Sequence, residues 1–298
     1  MKDKLKGVYF WIITIIQTVV SILLILFFSR FRAAKKISNL KIYRKGRCIS
    51  LIAGGPSTKE ILTSRYDLLD QTDLVVVNFF GNTDDFFKYK PKYYVLLDPT
   101  FFNPNFANKG LNEASTENKK RIQVNILLEN LGKVDWNMTL FIPYINDLSF
   151  INNPFISVIE FNTTRVVGFD RFQNWMYRHN RGLPNSRNVI TPAMLLMINL
   201  GYKDIYLYGC EFSWTKTMDV DPENGRFFFN DKHFYSKSEI RYFDIGAFHW
   251  WLDSISEYLT GVEQIAKYAI SEGVRIKNRT KGSFIDCFEY ENIDRIES

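Results

Sequence analysis

Arg47-Cys48-Ile49-Ser50-Leu51-Ile52-Ala53-Gly54-Gly55-Pro56-Ser57-Thr58-Lys59-Glu60-Ile61-Leu62 holds the decisive transition of this chain: a short apolar run breaks at two glycines and resumes at helical spacing. The run up to Ala53 reads as a buried strand. Ser57 reads as the N-cap of a helix, with Glu60 completing a capping box and Ile61-Leu62 opening an apolar face. Outward from there, Asp73 to Val77 and Tyr93 to Leu97 read as further buried strands. Ile122, Ile126, Leu127 and Leu131 predict a helix between Glu113 and Leu131, followed by a strand near Thr139 to Ile142. The stretch from 143 to 185 reads as loop. Thr191 to Leu200 is an apolar helix with Pro192 in its first turn and Gly201 as its stop, leading into a strand from Asp204 to Gly209. Ser254 to Ser271 predicts another helix, stopped by Gly273, with a last strand from Val274 to Lys277. Strands alternating with helices imply an α/β, Rossmann-like domain of three layers around a parallel sheet.

Charge and hydropathy divide the chain. Residues 1–47 hold 11 Lys/Arg against Asp3 alone, whereas the remainder has 27 basic and 31 acidic residues. A basic end on a mildly acidic globule points to anionic membrane lipid as a partner and away from nucleic acid. Val8 to Phe28 carries no charge and is long enough, at about 20 residues, to cross a bilayer as a helix. Ser29-Arg30-Phe31-Arg32 offers no signal-peptide cleavage site, so the segment is expected to stay as an anchor. Lys2, Lys4 and Lys6 precede it and Arg30, Arg32, Lys35, Lys36 and Lys41 follow, an excess that predicts a single-pass protein with a cytoplasmic C-terminal domain. Sequons at Asn137, Asn162 and Asn278 would suit the opposite, lumenal topology. Thr14, Gln17, Thr18 and Ser21 share one helical face able to hydrogen-bond a partner helix in a homo-oligomer, or are isolated polar residues that a spanning helix tolerates. The expected organisation is an anchor with its basic flank over 1–36, a connector over 37–46 and the α/β domain over 47–298. Cys48, Cys210 and Cys287 lack disulfide or metal spacing and read as small buried hydrophobes.

Ligands of doubly wound sheets bind beyond the carboxyl ends of the strands. There, Gly54-Gly55-Pro56-Ser57 permits close backbone approach to an anionic group at a helix start. Asn78 and Asp98 end the next two strands, although each also suits a turn or a cap.

Two blocks resemble the family 42 sialyltransferases, bacterial glycosyltransferases that use CMP-activated sialic acid. Ile52-Ala53-Gly54-Gly55-Pro56-Ser57-Thr58-Lys59-Glu60-Ile61 is similar to their nucleotide loop, AGNGPSLKEI, and the stretch from Leu200 to Phe212, LGYKDIYLYGCEF, is similar to their LGYKEIYLSGIDF. The resemblance implies a GT-A-variant fold with a small lid over about 213–250. It also implies an inverting transfer of sialic acid, or a related ulosonic acid, from CMP to a glycan or glycolipid acceptor in lipopolysaccharide or capsule synthesis at the bacterial inner membrane. By the same resemblance Gly54, Gly55, Ser57 and Asn78 hold CMP, while Asn188, Thr191 and Glu211 line the donor pocket, with Asp98, Ser213 and Trp214 at positions where the family has other residues. The first loop is one residue shorter than the family's and lacks its Asn.

Transfer to a hydroxyl calls for a general base, and three histidines are available. By resemblance, His233 in Asp231-Lys232-His233-Phe234-Tyr235 is the base and Tyr235 binds the leaving phosphate. His249, in Ala247-Phe248-His249-Trp250-Trp251, lies in the same interval and stays the alternative base, although its aromatic neighbours suit a packed or acceptor-wall residue; His179 reads as a surface residue. No cofactor or metal is expected, and Asp219-Val220-Asp221 reads as a polar turn. Two other readings stay open: a metal-dependent pyrophosphokinase-like enzyme, and a non-catalytic nucleotide-binding scaffold of polysaccharide assembly.

Overall fold

The computed structural model describes residues 2–40, 47–102, 114–144, 151–185, 187–235 and 238–296. Two helices come first, α1 (Lys2–Phe28) and α2 (Phe31–Asn39). Then follow β1 (Cys48–Ile52), α3 (Thr58–Ser64), α4 (Asp67–Asp70), β2 (Asp73–Val77), α5 (Asp84–Tyr89), β3 (Tyr93–Val95), α6 (Ala114–Gly132), β4 (Met138–Pro143) and β5 (Ile156–Phe161). The second half holds α7 (Asp170–Arg178), α8 (Ile190–Asn199), β6 (Asp204–Tyr208), β7 (Met218–Val220), β8 (Phe227–Asp231), β9 (Glu239–Tyr242), α9 (Ala247–Ser271), β10 (Arg275–Asn278) and β11 (Glu289–Tyr290).

Eight of these strands form one parallel sheet in the order β11-β10-β6-β1-β2-β3-β4-β5. The apolar runs pack on both faces because side chains alternate along a strand. Ile49, Leu51, Val75 and Val77 join the core that contains α8 and α9, whereas Ile52, Leu74 and Val76 join the one that contains Ile61, Leu62 and Leu127. The domain is therefore Rossmann-like, a parallel sheet between two helical layers. From β1 the chain adds β2 to β5 on one side, then crosses to place β6 on the other, so the topological switch point lies between β1 and β6.

The stretch expected to be loop contains β5 and α7. In α6 the buried face is Val124, Leu127 and Leu131, while Ile122 and Ile126 are exposed. The expected lid is an antiparallel sheet, β7-β8-β9, packed on the first turns of α9, which begins at Ala247 rather than Ser254. Phe229 stacks on Trp251 with ring centres 5.0 Å apart. Lid residues 236–237 lie outside the described residues.

The segment Lys6–Phe28 within α1 is long and apolar enough to cross a membrane. Its polar face, expected to meet a partner helix, is used within the chain. Ser21 Oγ donates to Val167 O at 2.8 Å and accepts from Val167 N–H at 2.9 Å, and Phe169 N–H donates to Thr18 Oγ1 at 3.2 Å. Gly168 makes the contact fit, since a Cβ there would lie 2.1 Å from Thr18 Oγ1. α2 follows at once and buries Ala33, Ala34 and Ile37; the rest of the expected connector, 41–46, lies outside the described residues.

Asn162 ties this junction to the core. Its Oδ1 accepts from Arg30 N–H at 2.6 Å, and its Nδ2 donates to Arg30 O at 3.1 Å and to Asn180 O at 2.8 Å. Asn278 is equally enclosed, accepting from Thr280 N–H and donating to Ile285 O. Two of the three sequons are thus structural side chains in the folded protein. Asn162→Ala leaves a buried donor and acceptors unpaired and is expected to cost about 2–3 kcal/mol, read as a lower urea midpoint of the detergent-solubilised chain. An unchanged midpoint would mean that Asn162 does not hold the junction.

Candidate functional site

The loops after β1 and β6 meet at the switch point. Ala53 N–H donates to Tyr208 O and Gly55 N–H to Gly209 O, at 2.9 and 3.0 Å, so the parallel pairing extends past both strands. Neither glycine is replaceable without movement. A Cβ on Gly55 would lie 1.5 Å from Glu211 Oε2 and 2.5 Å from Gly209 O. Gly209 has φ +68°, and its Cβ would lie 1.9 Å from Thr58 Oγ1. Thr58 itself is buried and donates to Ala53 O at 2.8 Å, pinning the start of α3 to the end of β1.

The helix start differs from its sequence reading. The Ser57 side chain makes no cap, so the capping box with Glu60 does not form. Instead the Ser57 N–H donates to Glu211 Oε1 at 2.7 Å. Glu211 is buried, and its Oε2 has no hydrogen-bond partner among the described residues. A carboxylate thus occupies the amide that the sequence reading reserves for phosphate, with one acceptor oxygen left to receive a donor.

The strap after β8 lies directly on this loop. Phe234 N–H donates to Gly54 O at 3.1 Å, His233 Nδ1 lies 3.2 Å from the same oxygen, and the His233 and Tyr235 rings stack with centres 5.1 Å apart. A Cβ on Gly54 would sit 3.1 Å from Tyr235 and 3.3 Å from His233. On its other side, His233 Nε2 is 3.4 Å from Asp231 Oδ2, which Arg241 also reaches at 2.7 Å. Burial pushes the Asp231 carboxyl up, but the His233 contact and the Arg241 charge outweigh it and hold the group below its ordinary value. Burial, reinforced by the Asp231 charge, pushes the Tyr235 phenol up, which keeps it a hydroxyl donor. The sequence gives Asp231 and Arg241 no role in the site. The signal for Asp231 was its spacing of two from His233 at the end of a strand, which puts both on one face.

Asn78 closes another side. It has φ +51°, a conformation Asn tolerates better than most residues, and its carbonyl accepts from the Tyr94 hydroxyl. The following Phe79 and Phe80 meet Tyr235 and Phe234 at 6.5 and 5.8 Å. Gly54, Gly55, Ser57, Asn78, Glu211, His233 and Tyr235 therefore converge at the switch point.

The remaining candidates serve neighbouring contacts. Asp98 accepts from the Thr100 N–H and hydroxyl and pairs with Lys120 at 2.9 Å. Burial raises its carboxyl, but Lys120 and Thr100 together pull it below the ordinary value, so an anion stands where the resembling family has a neutral amide. Asn188 caps α8, its Oδ1 accepting from Thr191 N–H at 2.9 Å and from Thr191 Oγ1 at 3.1 Å. Thr191 is fully buried and supports that cap instead of facing open space. Ser213 is half-buried, and Trp214 packs among Phe212, Tyr258 and Trp251 at 5.2, 5.7 and 6.2 Å, joining the lid to α9.

His249 is 80% exposed, with Asp253, one turn along, at 3.4 Å, so it is not packed as its aromatic neighbours suggested. His179 lies on the surface against Trp175. Asp219 and Val220, expected in a polar turn, lie in β7 because they pair with Phe228 and Phe227; the turn begins only at Asp221, which accepts from Glu223 N–H and the Tyr242 hydroxyl.

No family model and no curated protein matches this chain. Among solved structures, the MAf glycosyltransferase of Magnetospirillum magneticum AMB-1 is similar with 11% identity and a TM-score of 0.49, over 89% of this chain. The match takes in 38% of that protein, so this chain spans well under half of its length.

Proposed function

We propose that the chain is an inverting, metal-independent glycosyltransferase that moves a sialic acid or related ulosonic acid from CMP to a surface glycan, as a single-pass protein of the bacterial inner membrane with its α/β domain in the cytoplasm. The observation that carries this reading is the strap on the switch-point loop, with His233 between Gly54 O and Asp231 and with Tyr235 beside it. In the reaction the acceptor hydroxyl oxygen bonds to the donor's anomeric carbon from one face as the bond to the phosphate oxygen breaks on the other. His233 takes the hydroxyl proton, and CMP departs with the bonding pair. The Tyr235 hydroxyl donates to the departing phosphate, and Asp231 orients the imidazole. Glu211 Oε2 is an acceptor suited to a hydroxyl or amino group of the nucleotide. Both His233 nitrogens face acceptor oxygens, so the ring gives up the Gly54 contact when substrate enters, and the strap lifts and closes again as a lid.

A thermal-shift screen of the detergent-solubilised chain with CMP, UDP, GDP and ATP, each with and without magnesium, tests this. CMP at about a hundred times its dissociation constant is expected to stabilise by about 2.7 kcal/mol without metal, a rise of about 5 °C or more. A rise confined to ATP with magnesium would replace the reading with a pyrophosphokinase-like one. CMP binding without turnover of any CMP-ulosonic acid would leave a scaffold.

A further inference from the structure

A glycine sets how closely α9 meets the start of α8. A Cβ on Gly261 would lie 2.2 Å from Asn185 O and 3.6 Å from Thr191 Oγ1, so the helix rests directly on the segment that the Asn188 cap closes. Tyr258 lies three residues before Gly261 and shares its face of α9. Alongside, Arg187 next to the cap donates to Ser254 Oγ at 3.2 Å and pairs with Glu257. These contacts fix the backbone of α9 at Tyr258 against the mouth of the sheet.

The Tyr258 ring is held by the loop that follows β6, meeting Phe212 edge-on at 6.1 Å and Trp214 at 5.7 Å. Phe212 has φ +52°, uncommon for a residue with a bulky side chain, and across this turn the Glu211 carboxylate goes to Ser57 while the Phe212 ring goes to Tyr258. One loop therefore joins the start of α3 to Tyr258. The ring is engaged, but the hydroxyl hydrogen-bonds none of the described residues. Burial pushes the phenol up, the Arg187 charge draws it back, and the Asp98 and Glu257 charges add to the rise, so the group stays a hydroxyl donor. Asp98 follows β3 and Phe212 follows β6, and β1 and β2 lie between those two strands. Tyr258 thus reaches from the β6 side toward Asp98, over the strand ends where Gly54 and Asn78 stand.

A ligand seated on the loop after β1 meets two walls. One is the strap, with His233, Tyr235 and the phenylalanines beside it. The other is the face of α9 that carries Tyr258. Phenylalanine would make the same ring contacts with Phe212 and Trp214, and a hydroxyl in a largely buried position costs stability unless a partner satisfies it. The folded chain supplies none among the described residues, so the partner comes with the ligand. We propose that Tyr258 binds substrate, its hydroxyl donating to an oxygen of the transferred sugar on the wall opposite the strap. A sugar with several hydroxyl groups and a carboxylate offers such acceptors, and its own hydroxyls can donate to the Asp98 and Glu257 carboxylates. The assignment rests on the transfer reading given above.

Tyr258→Phe in the full-length, detergent-solubilised chain tests this by titration calorimetry without acceptor, with CMP, CMP-sialic acid and CMP-linked 3-deoxy-manno-octulosonic acid as probes. The variant is expected to bind CMP as the wild type does and to bind the better of the two CMP-sugars about tenfold more weakly, the scale of one hydrogen bond. The unliganded variant should melt with the wild type, because no hydrogen bond of the folded chain is lost. Unchanged affinity for both CMP-sugars would overturn the assignment. An equal loss for CMP would overturn it too, by moving the hydroxyl to the nucleotide, and a lower melting temperature with all three ligands weakened would make Tyr258 a packing residue. Wild-type protein that binds none of the three would remove the transfer reading and the assignment together, a result that the variant comparisons cannot produce.

Discussion

Gly55→Val is expected to abolish CMP stabilisation and to lower the melting temperature of the unliganded protein as well. The sequence alone suggests a milder outcome, in which a side chain blocks the ligand and leaves the fold intact. The geometry of the crossover decides otherwise. The first carbon of any side chain at Gly55 meets the Glu211 carboxylate at 1.5 Å and the Gly209 carbonyl at 2.5 Å. The carboxylate can swing away by giving up the Ser57 N–H, but the carbonyl is backbone paired to Gly55 itself. Overpacking of this kind costs about 1–3 kcal/mol, and two simultaneous contacts place Gly55→Val at the upper end. Glu211→Ala relieves one contact, so adding it to Gly55→Val should recover part of the stability and none of the binding. A Gly55→Val protein that melts with the wild type would show that the two loops do not meet as described.

What the sequence made legible, and what it hid, follows from which interactions are local. β1, β2, α8 and β6 are buried on both sides, so their apolar runs announce themselves wherever the chain folds. β5 escaped notice because it is the edge strand. Ile156-Ser157-Val158-Ile159-Glu160-Phe161 mixes polar and apolar positions in a way that resembles a loop until β4 pairs with it. The first two turns of α9 were obscured by Phe248, Trp250 and Trp251, aromatic on all sides because one face packs on the lid and another is bare. α6 was found with its face rotated, since Ile122 and Ile126 attracted a register that the sheet does not use.

The site divides along the same line. Its glycines and strand-end residues are readable because loop geometry demands them locally. The partner of Ser57 is not, because Glu211 stands 154 residues away and replaces a capping box that local sequence supplied in Glu60. The polar face of α1 suits a hydrogen-bonding partner, and that partner is the chain's own segment around Val167. Each of these misses comes from a contact that only the tertiary structure brings together.

His233→Ala is expected to lower kcat by about 10²- to 10⁴-fold with little change in CMP affinity, and the acidic limb of the pH–rate profile should vanish with the ring. His249→Ala should leave kcat unchanged, since that side chain is 80% exposed and lies against Asp253 on its own helix. Asp231→Asn separates orientation from basicity. The folded-state value of Asp231 lies below its unfolded value of about 3.8, so its carboxylate adds stability that is fully present above that value. That stability is lost as pH falls through the lower folded value. Above about pH 5, therefore, Asp231 is an anion throughout and contributes no limb of its own to the rate profile. Asp231→Asn should accordingly lower kcat by less than His233→Ala and flatten the loss of thermal stability as pH falls below about 3.8. Near-normal kcat in His233→Ala beside an inactive His249→Ala would move the base to the tip of α9. Full activity in both variants would remove the histidine from the chemistry and leave the strap as a cover alone.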